Sequence, residues 1–201
     1  AGQIYDVNSY SIASAVRAAG AEPRLYESTT DDRAEIESVL TSAAAECDLL
    51  LTSGSTSAGS SDLLYRLLDE AGDTLVHGVA VKPGRPLLIG RLFDTPYVGL
   101  PGYPVSALMT FTEFVEPRIR GVTAVKAETR AGESRRTTAE MRTRVRYEEG
   151  RMRLLAVGLV GDGNNGLVAY APTKGSGATT TLAETDGFVR MEPETTLLGP
   201  G

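Results

Sequence analysis

Residues 48–62 read Asp48-Leu49-Leu50-Leu51-Thr52-Ser53-Gly54-Ser55-Thr56-Ser57-Ala58-Gly59-Ser60-Ser61-Asp62. A short unbroken apolar run such as Leu49–Leu51 marks a strand buried on both faces. A loop of small residues follows, then Leu63, Leu64, Leu67, Leu68 and Ala71 at helical spacing, closed by Gly72. This is a strand–loop–helix unit, and doubly buried strands belong to sheets covered by helices on either side. The same alternation extends in both directions. Upstream, Asn8 and Ser9 are good N-cap types before Ile12, Val16 and Ala19, and Pro23–Glu27 reads as a short strand. Asp32 and Glu35 have capping-box spacing before a helix whose buried stripe is Ile36, Val39, Leu40 and Ala43. Downstream, Val79–Val81, Leu87–Ile89 and Pro96–Leu100 read as strands, and a helix runs from about Pro104 to Glu116 or Arg120. Residues 1–121 are therefore expected to form an α/β domain with a mostly parallel sheet.

After Gly121 the pattern changes. Arg142–Tyr147 alternates with period two, Glu149-Gly150 and Gly161–Gly166 are turn signals, and Met152–Leu155, Leu167–Tyr170, Thr179–Leu182 and Gly187–Met191 read as strands. Residues 122–201 are expected to form a small all-β domain, a barrel or a sandwich.

Composition narrows the chemistry. The 201 residues contain one histidine, His77, and one cysteine, Cys47, and carry a formal charge of −6. No zinc or iron–sulfur cluster can be held by protein cysteines, and no pair of histidines is available to a metal. Only Lys82, Lys126 and Lys174 are lysines. The acidic balance argues against sequence-independent binding of nucleic acid, which needs a basic face. It fits either a salt-adapted organism or the arginine bias of a GC-rich genome. No apolar run is long enough to span a membrane, and a cytoplasmic protein is expected. Binding must rest on carboxylates, hydroxyls, backbone amides and a few cations. His77 and Cys47 read as structural residues.

Three segments can do this. The loop Gly54–Asp62 lies at the carboxyl end of a strand and ahead of a helix, where exposed N–H groups suit an anion; it is otherwise an ordinary βα loop with Asp62 as a helix cap. Lys82-Pro83-Gly84-Arg85-Pro86 holds two cations in a stiff turn, which suits a phosphate or molybdate, or is a turn with solvated cations. Leu100-Pro101-Gly102-Tyr103-Pro104-Val105-Ser106 turns a strand into a helix with proline near its first position, leaving Ser106 beside the free amides. Asp31 and Asp32 either compensate a helix dipole or offer carboxylates to a hard cation such as Mg2+. Asp6 and Asn8 are further polar candidates at the sheet edge.

Taken in order, GQIYDVNS, TSGSTSAGSSD, VKPGRPLLIG, LPGYPVSAL and KGSGATTTLAETDGF resemble the MoeA/gephyrin-E family of molybdopterin molybdenumtransferases across essentially the whole chain. The resemblance implies a three-layer molybdopterin-binding domain over 1–121, lacking one N-terminal strand, and a β-barrel over 122–201. It implies insertion of molybdate into adenylylated molybdopterin with Mg2+ and release of AMP, by a homodimer. Position by position, it implies Asp31, Asp62 and Lys82 as catalytic residues, with Asp31 and Asp62 also on the metal. It implies Gly54, Ser55, Ser57, Gly59, Gly84, Arg85, Pro101, Gly102, Ser106 and Ser176 as substrate-binding residues. Several positions depart from the family pattern. The second glycine of the loop is Ser55, the asparagine of LPGNP is Tyr103, and Arg85 stands for a lysine. A lysine four residues before Lys82 is Gly78, and an arginine is missing near Val157-Gly158. These departures also fit a degenerate module that binds or scaffolds molybdopterin without turnover.

Overall fold

Strand β1 (Leu50–Ser53) runs parallel to the later strand Thr95–Leu100, with Leu50 opposite Tyr97 and Ser53 opposite Leu100. The computed structural model describes residues 5–26, 32–54, 61–126, 136–163, 166–172 and 180–200. Before β1 come helices α1 (Asn8–Ala18) and α2 (Arg33–Glu46). Asp32 caps α2 as its spacing predicts, accepting the Glu35 N–H at 3.0 Å. The cap of α1 is not the expected one. Asp6 Oδ1 accepts the Ser9 N–H at 3.0 Å, so the Asn8 side chain is free for another task. Residues 21–26 join no ladder where a strand is expected. Pro23 has no N–H to give, and Arg24 and Tyr26 turn outward to Glu46 at 2.8 and 3.2 Å.

Helix α3 (Ser61–Ala71) leads into β2 (Gly72–His77), a strand that the reading of Gly72 as a helix stop leaves out. Then follow β3 (Val81–Lys82), β4 (Leu88–Leu92) and β5 (Thr95–Leu100). The first sheet has the order β1-β5-β4-β2. Its parallel pair is β1 with β5; β5-β4-β2 is antiparallel, because a two-residue turn joins β4 to β5 and the β2–β4 connection, which carries β3, contains no crossover helix. Gly72 permits the tight β2–β4 approach: a Cβ there would lie 1.9 Å from the Arg91 carbonyl oxygen.

The sheet is covered on both faces. Ile12, Val16, Phe111, Val115 and Ile119 pack with Leu87, Val98 and Leu100 on one side. Ile36, Leu40, Leu64, Leu67 and Leu68 pack with Leu50, Leu88, Leu92 and Tyr97 on the other. This is the three-layer α/β arrangement. The covering helix on the first side is α4 (Pro104–Thr110), a π turn (Phe111–Val115) and α5 (Glu116–Lys126). In the π turn the Glu116 N–H donates to the Phe111 carbonyl, one residue further back than in an α-helix. The cause is the next residue, Pro117, which lacks an N–H and whose ring would strike the carbonyl of residue 113 in a straight helix.

The remaining strands are β6 (Glu140–Met141), β7 (Val145–Arg146), β8 (Met152–Gly161), β9 (Leu167–Tyr170), β10 (Gly187–Met191) and β11 (Leu197–Leu198). They form a sheet of order β10-β8-β9-β6 and a β7–β11 ribbon, with no closing ladder among the described residues. The segment read as a strand near Thr179–Leu182 is instead the short helix α6 (Thr180–Ala183). Strand β3 leaves the first sheet altogether. It pairs with β8 in parallel, Val81 opposite Met152 and Lys82 opposite Arg153. Val81, Val105, Met109, Met152 and Leu154 form one apolar cluster across the junction, and Arg190 reaches Glu113 at 3.0 Å beside it. Among the described residues no helix is long and apolar enough to cross a membrane.

Candidate functional site

The carboxyl ends of β1 and β5 lie side by side, as parallel pairing requires, and the loops leaving them stay together. Ser53 Oγ donates to the Pro101 carbonyl at 3.2 Å. Asn8 Nδ2 donates to Ser53 Oγ and to the Gly102 carbonyl, each at 2.8 Å. The start of α1 thereby ties both loops, while Asn8 Oδ1 is buried without a partner among the described residues. Gly54 and Gly102 meet backbone to backbone: a Cβ at 102 would lie 3.3 Å from Gly54 Cα. Gly54 has φ +91°, so its left-handed conformation starts the loop in a way a side chain resists. Tyr103 stands 66% exposed ahead of Pro104. Ser106, third in α4, is buried, and its carbonyl accepts Thr110 Oγ1 at 2.7 Å.

The Lys82–Pro86 turn joins the same end of the molecule. Its Gly84 (φ +125°) packs on α4, where a Cβ would come 2.2 Å from Thr110 Cγ2. The turn is fixed by Val79 N–H to the Arg85 carbonyl at 2.9 Å and Gly78 N–H to the Leu87 carbonyl at 2.8 Å. Register carries the alignment across the sheet: Thr52 lies opposite Gly99, Gly99 opposite Leu88, and Leu88 opposite His77. Three strand spacings, about 14 Å, therefore separate the β1 end from the β2 end at one level.

Charge gathers on the β3–β8 side. Lys82 is exposed, with Nζ 4.0 Å from Glu148 and 5.5 Å from the centre of the Tyr147 ring. Arg153 lies 4.5 Å from that ring. Burial pushes the Tyr147 hydroxyl above its usual range, and the neighbouring arginines Arg153 and Arg151 oppose the shift. On the first sheet, Tyr97 Oη is 2.7 Å from Thr52 Oγ1, and burial pushes its pKa up to about 12 against that hydrogen bond.

Of the residues expected at the site, the structure places Gly54, Pro101 and Gly102 at the β1 and β5 ends, Ser106 one turn further into α4, and Lys82, Gly84 and Arg85 on the turn against α4. Asp62 lies in the first turn of α3. Asp31, Ser55, Ser57, Gly59 and Ser176 lie outside the described residues. Among the described residues no three His, Cys, Asp or Glu side chains gather as a metal site. Asn8 is a polar candidate from the sequence, but its bonds across two loops are not foreseen; Tyr147, Glu148, Arg151 and Arg153 beside Lys82 are not found by reading motifs, and the alternation at 142–147 signals Tyr147 alone.

Fold and site together define a three-layer α/β protein with loops gathered over one sheet end and an all-β unit docked beside them. Residues 1–121 match the family described as "Probable molybdopterin binding domain", and residues 138–201 match the "MoeA C-terminal region (domain IV)". The chain belongs to the MoeA family. It is 36% identical over 118 residues to the molybdopterin molybdenumtransferase of Haemophilus influenzae, covering 59% of this chain and 29% of that one. It is 41% identical over 128 residues to molybdopterin molybdenumtransferase 2 of Mycobacterium tuberculosis, covering 59% and 31%. The molybdopterin biosynthesis MoeA protein of Pyrococcus horikoshii superposes with a TM-score of 0.82 at 32% identity, over 99% of this chain and 46% of that structure. The chain thus spans about a third of the curated relatives and about half of that solved structure.

Proposed function

We propose that this protein acts in molybdenum-cofactor biosynthesis, inserting molybdate into adenylylated molybdopterin with release of AMP. One observation carries the reading. Three motif segments meet at one end of the sheet, through Asn8, the Gly54–Gly102 approach and Gly84 on Thr110, in a chain whose two parts match the two family regions in order. In this reading the Gly54–Asp62 loop, with Ser55, Ser57 and Gly59, receives the phosphate. Lys82 and Arg85 attract the molybdate oxyanion, and Pro101, Gly102 and Ser106 line the pterin side. Ser176 is contributed by the all-β unit, with the division near residues 121 and 122. Asp31 and Asp62 are proposed as carboxylates for Mg2+, and the protein as a cytoplasmic homodimer.

The test is AMP release from adenylylated molybdopterin by the full-length protein with Mg2+ and molybdate. Lys82→Gln removes a solvent-facing cation without opening the core. It is expected to lower AMP release at least about tenfold with unfolding unchanged. Equal turnover by both proteins overturns the role of Lys82, and no turnover by the unaltered protein overturns the reaction.

A second reading, a molybdopterin-binding module without turnover, draws on the β8 residues. Val157 is buried and Gly158 lies under the Tyr170 ring, so the chain carries no cation at the position where the family resemblance implies one. Tight molybdopterin binding with no AMP release would select it.

A further inference from the structure

Helix α1 carries one polar side chain to the gap between the two site loops. Ile12 and Val16 pack with Leu100 at the end of β5, and Asn8, four residues before Ile12, lies on the same helical face. From this geometry we infer that Asn8 is a positioning residue. Its amide sets the separation of the β1 loop from the β5–α4 loop, and the place requires a side chain with two N–H donors. The inference rests on the proposed function, in which the first loop receives the phosphate and the second lines the pterin side.

The direction of every proton in this clasp is fixed. The carbonyls of Pro101 and Gly102 can only accept. Ser53 Oγ gives its one proton to Pro101 at 3.2 Å, which leaves its lone pairs for Asn8. Asn8 Nδ2 gives one proton to Ser53 Oγ and the other to the Gly102 carbonyl, each at 2.8 Å. Turning the amide over would set Oδ1 against the Gly102 oxygen, two acceptors with no proton between them.

Two observations separate this role from service to the helix. The start of α1 is capped by Asp6, whose Oδ1 accepts the Ser9 N–H at 3.0 Å. Asn8 Oδ1 is buried without a partner, a loss of hydration that stability alone does not favour. The tie matters because the ladder ends at Ser53 and Leu100. Beyond that pair Gly54 and Gly102 meet backbone to backbone, with no side chain to wedge them at a set distance. When the clasp is lost, each loop still binds its own part of the ligand, but the reacting phosphate shifts against the groups that act on it. A misplacement of about 1 Å costs on the order of 10²-fold in rate.

Steady-state AMP release from adenylylated molybdopterin by the full-length protein, with Mg2+ and molybdate, tests this. Asn8→Ala is expected to lower kcat about ten- to a hundredfold and to change KM less than about threefold. Asn8→Asp keeps the shape and suits a helix start, but presents oxygen where a donor is required. It is expected to lose at least as much at neutral pH. Relative to the unaltered protein, it recovers part of the loss as pH falls and its carboxyl gains a proton to donate to Gly102. Ser53→Ala leaves the Gly102 bond and is expected to lose less. Ser11→Ala is the control: its hydroxyl lies on the same helix and donates to the Val7 carbonyl at 2.9 Å, and no change is expected. All variants are assayed where circular dichroism shows them folded; where Asn8→Ala does not fold, Asn8→Asp and Ser53→Ala carry the test. With AMP release by the unaltered protein, the inference alone is overturned by full activity in Asn8→Asp, by a loss carried in KM alone, or by an equal loss in Ser11→Ala. No AMP release by the unaltered protein refutes the insertion reading, and this role falls with it.

Discussion

Tyr97 lies in the centre of the sheet, 1% exposed, with Oη 2.7 Å from Thr52 Oγ1 one strand away. Its pKa of about 12 in the folded protein lies above the value near 10 of an open chain, because burial disfavours the phenolate. Between those two pH values the folded protein binds more protons at this site than the unfolded one, so stability falls as pH rises. The stabilisation is complete below pH 10 and lost through pH 12, about 2–3 kcal/mol in all. Tyr97→Phe is expected to flatten that part of the alkaline decline in urea unfolding. At neutral pH it costs about 1 kcal/mol, because Thr52 Oγ1 loses its partner. Identical alkaline slopes would rule the assignment out. The residue scale is also where sequence reading is weakest. Asn8 and Ser9 look like helix caps, and only the folded chain shows Asp6 taking that role while Asn8 crosses to Ser53 and Gly102, 45 and 94 residues away. A polar side chain's choice among such partners is made by tertiary geometry.

At the scale of elements, the β4–β5 hairpin carries an avoidable strain. Its two turn residues, Phe93 and Asp94, have φ of +48° and +63°, the backbone of a type I′ turn that asparagine and glycine adopt readily. Phe93 packs on the cluster around Leu64 and Leu92, which explains an aromatic residue at a left-handed position. Asp94 is exposed, and among the described residues its carbonyl accepts Arg91 Nη2 at 2.9 Å while its carboxylate makes no hydrogen bond. Asp94→Gly relieves the strain and keeps that bond, and is expected to raise stability by about 0.5–1 kcal/mol, less the extra freedom of the unfolded chain. Chemical denaturation at constant m-value checks it; a loss of stability would show that the aspartate carboxylate matters. The same hairpin marks what was legible. Leu87–Ile89 and Pro96–Leu100 are strands by apolar content, and α2 and α3 are helices by spacing. The turn between the strands carries no Asn-Gly signature, so their antiparallel sense is hidden. The π turn is foreshadowed by Pro117 alone. Strand β2 was hidden because Gly72 ends α3 and opens a strand in one residue, and α6 because four residues are too few to show a period. The segments of the candidate site were legible as motifs; the place of Arg151 and Arg153 beside Lys82 was not, since it depends on β3 leaving its own sheet to pair with β8.

That crossing of β3 decides how the whole molecule holds together. Val81 on β3, Val105 and Met109 on α4, and Met152 and Leu154 on β8 share one apolar cluster, so neither unit buries its own face without the other. Leu154 is 1% exposed in that cluster. Truncation to alanine leaves a cavity that strand and helix close only in part, at about 2–5 kcal/mol. Glu113 and Arg190 join the units nearby, but the arginine is half-exposed, and Glu113→Gln is expected to cost no more than about 1 kcal/mol. The two substitutions separate packing from charge at the same junction. If the units stand by themselves, Leu154→Ala speeds amide hydrogen exchange in β8 and β10 and leaves β4 and β5 untouched. If the shared cluster couples them, exchange through global unfolding quickens in β4 and β5 as well, and one unfolding transition moves as a whole. The second outcome is expected, because β3, the turn that carries Lys82 and Arg85, and the helix that starts near Ser106 all rest on that cluster or pack against it.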